Sequence, residues 1–139
     1  MTSETSNATP LMGRILMSSV FLIFGALKLT TFSYYVGMLA ERGLPMPSAA
    51  IACAALLEIL GGLAILLGFK TRVASWILFV YLIPTSILFH NYWALQGALR
   101  AEMEAHFFKN MAIMGGLLFL AMWGPGPYSI DAANKTADS

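Results

Sequence analysis

The sequence predicts an all-α fold, a single bundle of four transmembrane helices, and three observations carry that prediction. The chain of 139 residues is 58% apolar and 11% charged, against about 45–50% and about 25% for a typical soluble domain. A domain of this size leaves much of its surface wet, so a chain with a mean hydropathy of +0.73 needs lipid as its solvent. Four apolar stretches, at about 11–29, 49–69, 73–89 and 107–123, approach the ~17–25 residues that a helix needs to cross a ~30 Å hydrocarbon layer. None of them alternates in polarity as a barrel strand does, and lipid leaves a free backbone N–H or C=O without a partner, so helix is the required conformation.

Residues 1–10, MTSETSNATP, are polar and without hydrophobic periodicity. They are expected to form a flexible tail ending at Pro10. They do not read as a signal peptide, because the first positive charge comes at Arg14 and no small-residue cleavage site follows the apolar run.

The first span carries Arg14, Ser18, Phe21, Gly25 and Lys28 at three- to four-residue spacing. A stripe of small and polar members faces the bundle interior rather than lipid. The second span has Glu58 as its only charge, about nine residues in and so ~14 Å along the axis. A carboxylate there cannot snorkel out as lysine can. It has to be protonated or face a cationic or hydrogen-bonding partner. Gly61 and Gly62, three and four residues on, share its face and permit close helix approach.

The third span, 73–89, contains no charge; Ser75, Phe79, Leu82 and Ser86 lie along one side of it, in line with Arg72 just before it and His90 just after, and Pro84 removes a backbone bond near Val80. In the fourth, Lys109, Ala112 and Gly116 share a face, with Asn110 beside it. Gly124-Pro125-Gly126-Pro127 ends that helix, and a polar tail occupies 128–139. Ile59-Leu60-Gly61-Gly62-Leu63 echoes Ile113-Met114-Gly115-Gly116-Leu117, a weak sign of internal duplication. Tyr34, Tyr35, Tyr92, Trp93, Trp123 and Tyr128 lie at the span edges, where aromatic rings favour the headgroup layer.

The connection Gly68-Phe69-Lys70-Thr71-Arg72 is short and basic, whereas residues 30–47 and 90–106 are longer and mixed in charge. The positive-inside rule then places the short turn and both termini in the cytoplasm. By depth, Lys28, His90, Lys109 and Asn110 gather in the outer half of the bundle, with Glu58 between them and the midplane. Such a cluster suits an anion, a quinone head group or an acidic substrate, and Glu58 with His90 suits proton transfer. The structural alternatives are a Lys28–Glu58 pair that only docks helices and lysines that merely snorkel.

Other chemistries are disfavoured. A net charge of +1 with eight scattered Lys and Arg residues offers no nucleic-acid patch. The single cysteine, Cys53, excludes an internal disulfide and is expected to pack as a small hydrophobe. His90 and His106 flank one loop without metal-ligand spacing, so no metal site is expected. No residue is singled out as catalytic.

The ordered set Gly25-Ala26-Leu27-Lys28-Leu29, Gly43-Leu44-Pro45, Glu58-Ile59-Leu60-Gly61-Gly62, Leu67-Gly68-Phe69-Lys70-Thr71-Arg72, His90, Lys109-Asn110 and Gly124-Pro125-Gly126-Pro127-Tyr128-Ser129-Ile130-Asp131 resembles the DoxX family of small four-helix bacterial inner-membrane proteins. The resemblance runs from about Leu11 to Asp131. It implies four spans and, through members associated with quinone-linked membrane redox complexes, an accessory redox role. It also implies Lys28, Glu58, His90, Lys109 and Asn110 as the ligand and proton site. No covalently bound cofactor is expected; a quinone and a redox partner protein, or a second copy of the chain, are the implied associates besides the bilayer. The rival expectations are a small-molecule transporter and a structural partner of another membrane protein.

Overall fold

The computed structural model describes residues 3–137. Helices α1 (Ser3–Thr30), α2 (Phe32–Glu41), α3 (Pro47–Leu67), α4 (Thr71–Phe89), α5 (Gly97–Trp123) and α6 (Ile130–Ala137) follow one another, with a short 3-10 turn at Tyr92–Ala94. Segments of α1, α3, α4 and α5 are long and apolar enough to cross a membrane. At 1.5 Å per residue the 21 residues of α3 span about 31 Å, the thickness of the hydrocarbon layer.

The apolar runs locate these helices but understate their length. α1 begins at Ser3 rather than after Pro10. Pro10 removes one backbone bond, and a Cβ at Gly126 would lie only 2.6 Å from its ring, so the segment after α5 packs against this turn. α5 begins at Gly97, ten residues before the predicted start. The intervening Ala98, Leu99, Arg100, Ala101, Glu102, Met103, Glu104 and Ala105 are strong helix formers whose charge hides them from a hydropathy reading. The long connection 30–47 contains α2, and the polar tail contains α6. Residues 1–2 and 138–139 of the expected tails lie outside the described residues.

α1 packs chiefly on α3 and α4 chiefly on α5, while α3 and α4 join the two pairs. Glycine makes the α1–α3 approach possible. A Cβ at Gly25 would stand 3.2 Å from the Ala55 carbonyl oxygen and 2.7 Å from Ile59 Cγ1, and one at Gly62 would press on Phe21 and Leu22. Gly115, by contrast, has open space around it and Gly116 meets only the tip of Met17. The two Gly-Gly pairs therefore do different packing jobs.

The inward stripes are Arg14, Ser18 and Phe21 on α1, Ile51, Ala55, Glu58, Gly62 and Ile65 on α3, and Thr71, Ser75, Leu78, Leu82 and Ser86 on α4. On α5 the buried stripe is Asn110, Leu117 and Ala121, one residue round from the expected Lys109 face. Arg72 also turns outward from its expected stripe. Cys53 is exposed, because it falls off the Ile51–Ala55–Glu58 stripe. Leu16, Val80, Leu60 and Phe119 are 59–67% exposed, as side chains facing lipid should be.

At the α3–α4 turn, three charged side chains complete the ends of helices they do not belong to. Arg14, fully buried, donates to the carbonyls of Leu66 at the end of α3 (3.0 Å) and Tyr128 (2.6 Å). Arg72 donates to the carbonyls of Ala121 and Met122 at the end of α5. Asp131 accepts from the backbone N–H groups of Lys70 (2.8 Å) and Thr71 (2.9 Å) at the start of α4. Cations thus meet carbonyl ends and an anion meets an amide end, as the helix dipole favours. Lys70 sits in the left-handed region at φ 44, a cost the Asp131 contact offsets.

Partial burial opposes ionisation of Asp131, but the Thr71 and Lys70 N–H groups outweigh it and hold the carboxyl below its ordinary range. Because the folded group is the stronger acid, its stabilisation is complete above the unfolded value of ~3.9 and is lost as pH falls through the folded value. Asp131→Asn is expected to cost about 1 kcal/mol near neutral pH, because the amide keeps only one of the two acceptor oxygens and loses the charge. That gap should close once the parent carboxyl is itself protonated. Equilibrium unfolding at neutral pH and at about pH 3 checks this; an equal gap at both would show that the carboxylate charge contributes nothing.

Candidate functional site

At the opposite end, α1, α3, α4 and α5 spread around a cavity of about 550 Å³ that α2, the 90–96 connection and the first turns of α5 cover. Lys28, Glu58, His90, Lys109 and Asn110 all line it. Their roles within it differ.

Lys28 sits in the last turn of α1, yet its side chain runs inward rather than out to the headgroups. Its Nζ stands 2.7 Å from Glu58 Oε2 and 2.9 Å from Oε1, and both side chains are largely buried. Snorkelling therefore does not describe Lys28. Glu58 is brought to the pair by the inward stripe of α3, close against Gly25 of α1. Tyr81 of α4 donates its hydroxyl to Glu58 Oε1 at 2.7 Å. One carboxylate thus receives an ammonium and a phenol from two other helices, which satisfies a charge that would otherwise be costly at this depth.

Lys109 donates to Nδ1 of His106 at 2.9 Å. That nitrogen must accept, so the His106 proton lies on Nε2, which faces Glu102 at 4.0 Å. The His106 ring stacks on His90 with centroids 5.2 Å apart. Nδ1 of His90 is buried without a protein partner among the described residues. The ammonium groups of Lys28 and Lys109 lie 5.9 and 6.0 Å from the Phe24 ring centroid, so both cations border one aromatic wall. Asn110 is buried and donates to Ser86 Oγ at 3.1 Å, and Ser86 in turn donates to the Leu82 carbonyl. Asn110 thereby ties α5 to α4 while it forms part of the wall.

Four polar neighbours were not singled out from sequence as part of this cluster: Tyr81, Tyr35, Arg42 and His106. Tyr81 lies on the side of α4 between residues assigned to lipid and to core, so only the position of Glu58 reveals it. Tyr35 and Arg42 come from α2 and its end. Burial, with the nearby Glu58 carboxylate adding to it, pushes the Tyr35 phenol up from its ordinary range, so the phenol keeps its proton. Arg42 lies over the Phe89 ring at 5.1 Å and donates to the Met38 carbonyl.

The charge balance of the cavity follows from these contacts. Lys28 is compensated by Glu58, whereas Lys109 and Arg42 meet only neutral partners in the hydrogen bonds described above. The inner part pairs its charges, and the rim carries Lys109 and Arg42 with the Glu41 carboxylate beside them, a balance of one positive charge.

The DoxX family model matches residues 9–91. Inner membrane protein YphA of Escherichia coli K12 is 36% identical over 121 residues, 87% of this chain and 86% of that protein. Inner membrane protein YqjF of the same organism is 37% identical over 121 residues, 87% and 88% of the two chains. A shorter similarity, 34% over 79 residues, covers 57% of this chain and 26% of ER-derived vesicles protein ERV29 of Saccharomyces cerevisiae. No solved structure matches the chain. With four helices fit to span a membrane and these relatives along most of its length, the chain is an integral membrane protein that belongs to the DoxX family.

Proposed function

We propose that the protein binds a quinone or a small acidic ligand in the cavity of the outer half, as an accessory component of a membrane redox system. The observation that carries the reading is the buried His90 Nδ1, which finds no protein partner among the described residues although it borders the polar cluster of the cavity. A buried ring nitrogen left unpaired is costly, and a ligand carbonyl or carboxylate oxygen would satisfy it. Lys109 and Arg42 supply positive charge at the rim. Glu58, held by Lys28 and Tyr81, is the group that holds or passes a proton. The quinone would supply the electron chemistry; this chain's residues bind, orient and exchange protons with it.

The protein is proposed to lie in the bacterial inner membrane with both termini cytoplasmic, supported by the relatives' names and by the basic Lys70-Thr71-Arg72 turn. A reporter that matures only in the cytoplasm, fused after the last residue, reads that orientation.

The protein purified with its native lipids is expected to carry stoichiometric quinone, detected by mass spectrometry and visible spectroscopy. Glu58→Gln should reduce that occupancy about tenfold, since the change removes one charged hydrogen-bonding group. Bulk phospholipid alone, in parent and variant alike, would overturn the reading and leave the cluster as a device for docking helices or a transport site.

A further inference from the structure

A second hollow of about 280 Å³ lies between the 44–50 segment, α2 and the outer end of α4. It is lined by Leu39, Leu44, Pro45, Ala50, Pro84 and Leu88, and it shares Ile51, Tyr81, Thr85 and Phe89 with the wall of the larger cavity. The hydroxyls within it are already engaged. Tyr81 turns its hydroxyl away to Glu58, and Thr85 donates to the Tyr81 carbonyl at 2.9 Å. What remains facing the hollow is hydrocarbon. Leu88 is 41% exposed and Ala50 is exposed, so the hollow opens at the surface of the bundle, on a side that the proposed topology turns to the bilayer.

We propose that this groove is the passage for a hydrocarbon chain, so that the ligand of the polar cavity is a chain-bearing amphiphile that enters sideways from the bilayer. The inference rests on the proposed ligand site and adds the class of molecule it accepts. The occupant follows from adjacency: the cavity that seats a polar head at Glu58 and His90 and the groove share the Tyr81 and Phe89 side chains as a common wall, which has to part for a chain to reach from one to the other. A water-soluble acid has no use for such an opening. In a bilayer the chain gains little by leaving lipid for the groove, because both are apolar. The groove therefore acts by admission rather than by affinity: it gives the chain somewhere to go.

The test compares two ligands with one head group, ubiquinone-0 without a chain and decylubiquinone with one, bound to the full protein in nanodiscs and corrected for partition into lipid. The same comparison is made with acetate and decanoate for the acidic alternative. Ala50→Trp and Leu88→Trp fill the groove without touching the polar cavity. Ile77→Trp, at a position 50% exposed on α4 and outside both linings, is the control. Parent protein and control are expected to bind both members of a pair. Each groove variant should weaken the chain-bearing member about tenfold or more, the scale of overpacking a fitted site, and leave the chainless member within about twofold.

Equal effects on both members, or on neither, would overturn the proposal, as would a parent that binds only chainless ligands. Glu58→Gln tests the head-group site separately. If it changes nothing while the groove variants still discriminate, the head-group assignment fails and the chain passage stands. If the parent binds none of the four, both fall.

Discussion

Glu58→Ala is expected to cost about 3–5 kcal/mol of folding stability, because it strands the Lys28 ammonium in a site built for a pair. Lys28 enters the bundle to meet Glu58 at 2.7 Å, and its side chain is 13% exposed. Removing the carboxylate also frees the Tyr81 hydroxyl. The double replacement Lys28→Met with Glu58→Leu should recover most of the loss, to within about 1 kcal/mol of the parent, since a buried pair is often no more stabilising than apolar residues of similar volume. Equilibrium unfolding in bicelles, followed by tryptophan fluorescence, measures both. A cost below about 1 kcal/mol for Glu58→Ala would mean that Lys28 swings out to the headgroups when its partner is lost. A stable double variant that no longer retains ligand would separate the site's chemistry from its architecture.

Arg14→Ala should be comparably severe, at about 3–5 kcal/mol. Its guanidinium is fully buried and donates to two carbonyls from distant parts of the chain, at Leu66 and Tyr128. Charged hydrogen bonds of this kind contribute about 1.5–3 kcal/mol each, and truncation leaves a void where α1, the α3–α4 turn and the C-terminal segment meet. Arg14→Lys should recover less than half, because a single ammonium cannot reproduce the planar fork that reaches both carbonyls. Full recovery by lysine would mean that charge near the ends of the helices matters and the fork does not. The change lies at the far end of the bundle from the cavity, so whatever folds should keep its ligand affinity.

Much of the architecture is written in the order of apolar residues. A segment such as Val73–Phe89, free of charge and without alternating polarity, has one stable form in lipid, and α4 takes it. The inward stripe of α1 was equally legible, since Arg14, Ser18 and Phe21 recur at helical spacing and all three are buried. The face of α5 was less so. Lys109 and Asn110 are neighbours 100° apart, and only packing against Ser86 selects Asn110 as the buried one. The charged start of α5 and the polar α6 escaped a reading based on hydropathy, because they rest on helix propensity and, for α6, on the Ser129 hydroxyl that accepts from the Ala132 N–H and on the Asp131 tie to the start of α4, not on an apolar face.

The candidate site divides in the same way. That Glu58 must be protonated or have a partner followed from depth alone, because an isolated carboxylate in hydrocarbon is too costly to persist. That Tyr81 joins Lys28 in serving it, and that His106 takes the Lys109 proton donor and stacks on His90, could not be read from a string. Those choices depend on the rotation of one helix against another, and a shift of one residue turns a side chain by about 100° from cavity to lipid.

The sequence by itself determined that the chain crosses a membrane four times as helices and which charged residues lie among them, because transfer to lipid depends on composition and span length. The tertiary structure decided which of those charges meet, which atom of His90 is left without a partner among the described residues, and which side chains enclose a cavity. Those outcomes depend on hydrogen-bond distances of about 3 Å between residues tens of positions apart, and only the packed bundle brings such residues together.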